Sequence, residues 1–197
     1  MTLLSLTDAQ SLINTQDADG ATPVFIAAGN GHAAVTKQLI EARCIVNLQT
    51  EDGCTPLLIA AHKGHAAVTE KLIEARCNVD LRQNDGCTPL HAAAEQGHAS
   101  VTKQLIEACC NVHLEKNGAT ALFAAAQNGH ASVTKQLIEA RCNVDRQEKD
   151  GATPLFAAAQ GGHSSVTKQL IEAHCNVDLQ ALDGITPIKG MLPSRSS

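Results

Sequence analysis

DGCTPLHAAAEQGHASVTKQLIEA, residues 85–108, is the stretch from which the rest of the chain can be read. Asp85-Gly86 is a turn dipeptide. Thr88 is suited to cap a helix, because its hydroxyl can accept from an N–H that the first turn leaves unpaired. Pro89 suits the first helical position, where no N–H is needed. The short alanine-rich helix that follows should stop at Gly97-His98. A second helix is predicted from about Ala99 to Ala108, with Val101, Leu105 and Ile106 on one face and Lys103 and Glu107 on the other.

Outward from this stretch, copies of it recur in both directions. The turn glycines are Gly20, Gly53, Gly86, Gly118, Gly151 and Gly184, spaced by 33 residues except for one step of 32. Gly-His recurs at His32, His65, His98, His130 and His163, and Leu-Ile-Glu-Ala at Leu39, Leu72, Leu105, Leu137 and Leu170. The capping threonines are Thr22, Thr55, Thr88, Thr120, Thr153 and Thr186, each followed by Pro except where Ala121 stands. One such unit cannot bury its own apolar face, so units must stack and draw stability from their neighbours. Residues 1–16 read as a degenerate N-terminal half repeat, with Leu6 and Ile13 aligned to Leu72 and Val79. Residues 17–182 hold five repeats, and 183–197 a partial repeat and tail. Neither end carries a clearly polar cap, as expected of a fragment of a longer protein or of a half-helix that caps poorly.

Composition narrows the function classes. Hydrophobic residues make up 44% but aromatics only 2%, which points to many small Ala, Leu, Ile and Val contacts. A net charge of -5, no block of Lys or Arg and three Phe argue against nucleic-acid binding. Cys44, Cys77, Cys110, Cys142 and Cys175 keep the repeat period. Equivalent positions on stacked helices lie about 8–10 Å apart, beyond the roughly 7 Å a disulfide spans. Free thiols are therefore expected, and with them a reducing, cytoplasmic compartment. The N-terminus has no basic signal-like region, and no apolar run reaches the length of a membrane span.

Thr88-Pro89-Leu90-His91, Ala93-Ala94, Gly97-His98 and Leu105-Ile106 at this period closely resemble the ankyrin repeat, over roughly residues 17–187. The resemblance implies an all-α ankyrin-repeat solenoid of stacked helix-turn-helix units with β-hairpin-like loops. It also implies protein binding through hairpin tips and the concave face of the first helices, and Asn47 at a hairpin position that some ankyrin proteins hydroxylate. Several positions depart from the family. Phe25, Leu58, Phe123 and Phe156 replace the histidine kept at His91. The Gly-Ala that usually follows the second helix reads Arg43-Cys44, Arg76-Cys77, Cys109-Cys110, Arg141-Cys142 and His174-Cys175. Family glycine there adopts a left-handed conformation, which costs any other residue about 1–2 kcal/mol. The third junction is one residue short, with Asn117 for Asp and Ala121 for Pro, and is expected to be irregular around His113–Asn117 and the weakest seam.

No catalytic constellation stands out. Cys109, Cys110 and His113 are the densest potential metal ligands, but no paired Cys-x-x-Cys accompanies them, and neither metal nor cofactor is expected. The Gly-His histidines recur at one position, as structural groups do, and Ser100, Ser132 and Ser165 lie outside any nucleophile elbow. Lys37, Lys103, Lys135 and Lys168, each four residues before a Glu, read as a solvated face. The functional signal is variation between near-identical units. The first helix closes as Gly29-Asn30, His62-Lys63, Glu95-Gln96, Gln127-Asn128 and Gln160-Gly161. The tips carry Glu51-Asp52, Asn84-Asp85, Lys116-Asn117 and Lys149-Asp150. These are the expected partner contacts, centred on His62, Lys63, Glu95 and Gln96, with Ile26, Ile59, Ala92, Ala124 and Ala157 supplying apolar surface. The expected protein is a monomeric, non-catalytic interaction module, a scaffold, binding another protein. The alternative is a structural spacer or targeting segment of a larger protein whose activity lies elsewhere.

Overall fold

A computed structural model describes residues 12–179. Its helices come in pairs: α1 (Pro23–Gly29) with α2 (Ala33–Glu41), α3 (Pro56–Lys63) with α4 (Ala66–Glu74), and α5 (Pro89–Gln96) with α6 (Ala99–Glu107). After a two-stranded hairpin, β1 (Glu115–Lys116) and β2 (Ala119–Thr120), come α7 (Ala121–Gln127) with α8 (Ala131–Glu139) and α9 (Pro154–Gln160) with α10 (Ser164–Glu172). The calls that fall on residues 1–11 and 180–197 lie outside the described residues. The chain divides into two compact units, one running to residue 93 and including 100–110, the other comprising 94–99 and 111 onward. In the first, α1 packs on α2 and α3, and α4 on α2 and α3; in the second, α9 packs on α7 and α10, and α8 on α7 and α10.

The capping expected from sequence forms. The hydroxyls of Thr22, Thr55, Thr120 and Thr153 accept from the N–H groups of Phe25, Leu58, Phe123 and Phe156 at 3.3, 3.1, 3.3 and 3.2 Å. Leu57, Leu90, Leu122 and Leu155 of the first helices and Leu72, Leu105, Leu137 and Leu170 of the second are fully buried. Burying each such side chain contributes about 1.5–3 kcal/mol. Where Leu58 and Phe123 stand in place of histidine, they form small apolar clusters, Leu58 with Cys54, Cys87 and Ala92, Phe123 with Ala152 and Ala157. His91, the retained histidine, is buried and shares a 2.8 Å hydrogen bond with the hydroxyl of Thr88.

Three of the Gly-His histidines join a repeat to the one before it. The ring Nε2 atoms of His65, His130 and His163 lie 3.2, 3.0 and 2.9 Å from the carbonyl oxygens of Gly29, Glu95 and Gln127. The ring also lies over the glycine of the preceding Gly-His. A Cβ on Gly129 would stand 2.5 Å from His163 Nδ1, so only glycine fits beneath it.

Every described second helix ends on a non-glycine residue with positive φ: Arg43 (65°), Arg76 (56°), Cys109 (59°), Arg141 (61°) and His174 (60°). The bonding is that of a Schellman cap. Arg141 N–H donates to Ile138 O at 2.9 Å and Cys142 N–H to Leu137 O at 3.1 Å, and the other four helices repeat the pattern. The following cysteine turns inward. Cys77, Cys110, Cys142 and Cys175 are buried and all eight cysteines are free thiols. Burial pushes the Cys77 thiol up to about 11 and those of Cys54 and Cys142 up to about 12. Because the thiolate is the reactive form, a small alkylating reagent at neutral pH is expected to modify exposed Cys109 first and these three last. Peptide mass spectrometry of partially labelled protein measures that order.

The third junction corrects the expectation of irregularity. Glu115 pairs with Thr120 and Lys116 with Ala119 in a regular antiparallel hairpin, the only strand pair among the described residues. Asn117 and Gly118 both take positive φ, 54° and 97°. That is the combination of a type I′ turn, for which Asn-Gly is the favoured sequence. Losing one residue shortened the loop to the length at which strands can pair. Elsewhere a side chain closes the loop: the amides of Gln16, Gln49 and Gln147 donate to the carbonyls of Gly20, Gly53 and Gly151 at 2.8, 2.7 and 2.7 Å.

A second kind of bond also crosses from repeat to repeat. The side-chain oxygens of Asn14, Asn47 and Asp145 accept the backbone N–H groups of Ile45, Asn78 and Asn176 at 2.7, 2.9 and 2.7 Å. His113 occupies the same repeat position. Restoring the acceptor with His113→Asp should bring a bond from Asn143 N–H and raise stability by about 1 kcal/mol. A urea unfolding midpoint that stays put or falls would show that the carboxylate does not find this donor.

Candidate partner-binding surface

The variable residues lie at two places, the C-terminal ends of the first helices and the loop tips. Most are exposed, while His62 and Lys116 are half-buried. At the helix ends, Asn30 and Asn128 are helix caps, their amides donating to Ile26 O and Ala124 O at 3.0 and 2.9 Å. His62 and Lys63 form the last turn of α3, which Gly64 ends in the left-handed region. Glu95, Gln96, Gln127 and Gln160 are exposed.

In the first unit the tips are tied to one another. Glu51 N–H donates to Asp19 O at 3.1 Å, and Asn84 N–H to Asp52 O at 2.9 Å. The Asn84 amide reaches Glu51 O at 3.1 Å and the Gln83 amide reaches the Asp52 carboxylate at 2.7 Å. Asp52 also accepts from the Thr50 hydroxyl and from Cys54 N–H. The Thr50 hydroxyl, with the Cys54 N–H and the Gln83 amide, holds the Asp52 carboxyl below the usual carboxylate range, although partial burial acts against it. Asp52 and Asn84 therefore shape the tips as well as face solvent. Asp85, at the next tip, accepts from Cys87 N–H at 2.8 Å.

In the second unit the structure brings a helix end and a tip together. Lys116 Nζ lies 3.6 Å from a Glu95 carboxylate oxygen, and Arg146 Nε lies 2.6 Å from Glu115. A Cβ on Gly118 would stand 2.9 Å from Lys149 Cγ, so the stem of Lys149 rests against the Asn117-Gly118 turn. Asp150 is exposed beside it, and partial burial, with the nearby charge of Asp150, raises the carboxyl pKa of Glu148. Sequence reasoning missed both ion pairs. Their only trace is the spacing of 21 between Glu95 and Lys116 and of 31 between Glu115 and Arg146.

The apolar part of the expected surface needs correction. Ala92 and Ala157 are buried, only 2% and 4% exposed, inside the clusters of Leu58 and Phe123. Ile26 is 49% exposed and Ile59 is partly buried. Away from this surface, Lys37–Glu41, Lys103–Glu107, Lys135–Glu139 and Lys168–Glu172 form ion pairs of 3.7 to 3.9 Å, with more than 60% of each side chain exposed. Such pairs contribute little. Among the described residues no three His, Cys, Asp or Glu side chains gather to hold a metal, and no helix is long and apolar enough to cross a membrane. The tips and helix ends thus differ in charge from one repeat to the next.

Comparison with protein families gives a match to the model described as "Ankyrin repeats (3 copies)" over residues 2–83, 67–148 and 123–189. A search of curated proteins gave no significant match.

Proposed function

The chain belongs to the ankyrin-repeat family, whose repeats are generally protein–protein interaction modules, and from that premise we propose that it is a non-catalytic binding module for another protein. The observation that carries the reading is where the variation falls. His62-Lys63, Glu95-Gln96, Gln127-Asn128 and Gln160 differ between repeats at helix ends, half-buried at His62 and exposed elsewhere, while the leucines of the same helices are identical and buried. The tips Glu51-Asp52, Asn84-Asp85, Lys116-Asn117 and Lys149-Asp150 add hydrogen-bonding and charged groups on backbone that the loops hold in place. Rigid presentation limits the ordering entropy lost on binding. The module acts as a monomer in the cytoplasm, whose reducing conditions suit its free thiols.

Affinity capture from extract of the source cells tests this. The double variants His62→Ala/Lys63→Ala, in the first unit, and Glu95→Ala/Gln96→Ala, in the second, serve as controls. Proteins retained by the native chain and lost with either variant support the reading. Identical recovery with all three chains removes the helix ends from the interface and leaves the spacer role as the better account.

A further inference from the structure

One face that is covered in the later repeats is open in the first. Pro56, Pro89, Ala121 and Pro154 are buried where they begin their helices, whereas Pro23 is exposed. Val68, Val101, Val133 and Val166 of the second helices are 0% exposed, whereas Val35 is 44% exposed. A groove of about 530 Å³ lies over this face, and its lining includes Pro23, Ile26, Ala27, Val35, Asp17 and His32.

The chain itself shows what fills such a face elsewhere. α1 packs on α3, and α7 on α9. His65, His130 and His163 reach the carbonyl oxygens of Gly29, Glu95 and Gln127, in the last turns of first helices. The last carbonyls of a helix have no partner within it, so a ring N–H placed there satisfies one of them. His32 is exposed, and among the described residues its ring meets no such carbonyl. The occupant that matches these joints is a short apolar helix alongside α1, with its C-terminal end at His32.

Charge adds a second requirement. Residues 12–36 contain Asp17 and Asp19 and no Lys or Arg. The Asp17 carboxylate accepts the N–H groups of Asp19 and Ala21 at 3.1 and 2.8 Å, which fixes it near the start of α1. The next cation along the chain, Lys37, pairs with Glu41. A partner's positive charge is therefore favoured at the start of the docked helix, opposite the end at His32.

We propose that this groove seats a short apolar helix of a partner protein, parallel to α1, with Lys or Arg ahead of its first turn at the loop of Asp17 and Asp19 and a last-turn carbonyl at His32. Laying an apolar helix face into a groove is a recurring mode of recognition. The acidic loop supplies steering and selectivity, which weaken with salt. The proposal rests on the protein-binding reading and adds to it a surface and a partner chemistry that the helix ends and tips do not include.

Selection of helix-forming peptides displayed on phage against the full chain tests the proposal. Enriched sequences should carry Lys or Arg ahead of a run of Ala, Leu or Ile. One of them, synthesised and labelled, serves as the probe in fluorescence anisotropy. Val35→Gln and Ile26→Gln, both at exposed positions, should each weaken binding about tenfold, as apolar contacts at the centre of an interface do. Asp17→Asn keeps an oxygen for the loop N–H groups, and should weaken binding severalfold and flatten its salt dependence. His32→Ala should weaken it severalfold without changing the salt slope. Glu95→Ala/Gln96→Ala should leave it unchanged. Circular dichroism melts should show every variant folded. No enrichment, enriched peptides without cations, or unchanged affinity with Val35→Gln and Ile26→Gln would each overturn the proposal. Binding lost instead with Glu95→Ala/Gln96→Ala would overturn it too, yet leave protein binding standing at the helix ends. A severalfold gain with Leu3→Gln/Leu6→Gln would give the groove to the chain's own first residues, and displacement of the probe by unlabelled chain would give it to a second copy. Either result overturns the proposal.

Discussion

Replacing Arg43, Arg76, Cys109, Arg141 and His174 together by glycine is expected to stabilise the protein by about 3 kcal/mol, from the balance of left-handed strain against glycine entropy. All five occupy the left-handed region with φ between 56° and 65°. A side chain there costs about 1–2 kcal/mol. Glycine gives back about 0.5–1 kcal/mol through the freedom of its unfolded chain, and losing a cation at a helix C-terminus gives back a few tenths more. The net gain is roughly 0.5–1 kcal/mol per site from the same terms. The sites lie in different repeats and each bonds its own helix, so the gains should nearly add. For a chain of this size the melting temperature should rise by roughly 5–10 °C. A thermal melt at or below the native midpoint would mean that the Arg and His side chains do more at these ends than their backbone angles suggest.

The opposite effect of similar size is expected from Leu137→Ala. Leu137 is fully buried on α8, and its carbonyl also receives the Cys142 N–H that closes the helix. Removing a buried leucine side chain loses its transfer energy and leaves a cavity, together about 2–5 kcal/mol. Unfolding should be less costly by about 3 kcal/mol, within that range. Lys135→Ala, two residues away on the solvated face, should shift stability by under about 0.5 kcal/mol. Urea denaturation of both variants reads the contrast. Comparable losses from the two would deny that the second helices are anchored by this face.

What was readable in the sequence was what repeats and what is local. The period needs no tertiary knowledge, and Thr at a cap or a residue replacing Gly after a helix acts within a few residues of itself. Hence the caps of Thr22, Thr55, Thr120 and Thr153 and the left-handed Arg76 and Arg141 were foreseeable. The third junction was misread because a missing residue looked like a defect. The Asn117-Gly118 pair was itself the signal for a tight hairpin. The candidate surface was legible as positions but not as states. Whether Ala92 is groove or core depends on how closely Cys54, Leu58 and Cys87 approach it. Whether Glu95 is available depends on Lys116, 21 residues away, reaching it. Asp52 and Asn84 bear on tip shape through bonds to neighbouring loops that spacing alone does not reveal.

The histidines at 65, 130 and 163 reach for a main-chain carbonyl, and the Asn or Asp at position 47 or 145 receives a main-chain N–H. Every residue type except proline offers both groups. These links are therefore indifferent to which copy lies next door. Whole units can be exchanged, duplicated or excised in register, and the joints re-form with whatever neighbour arrives. The same indifference leaves the side chains at positions 95 and 127, whose carbonyls accept these bonds, outside the links themselves. New recognition specificities can then be assembled by recombination of units, without re-solving the problem of folding each time.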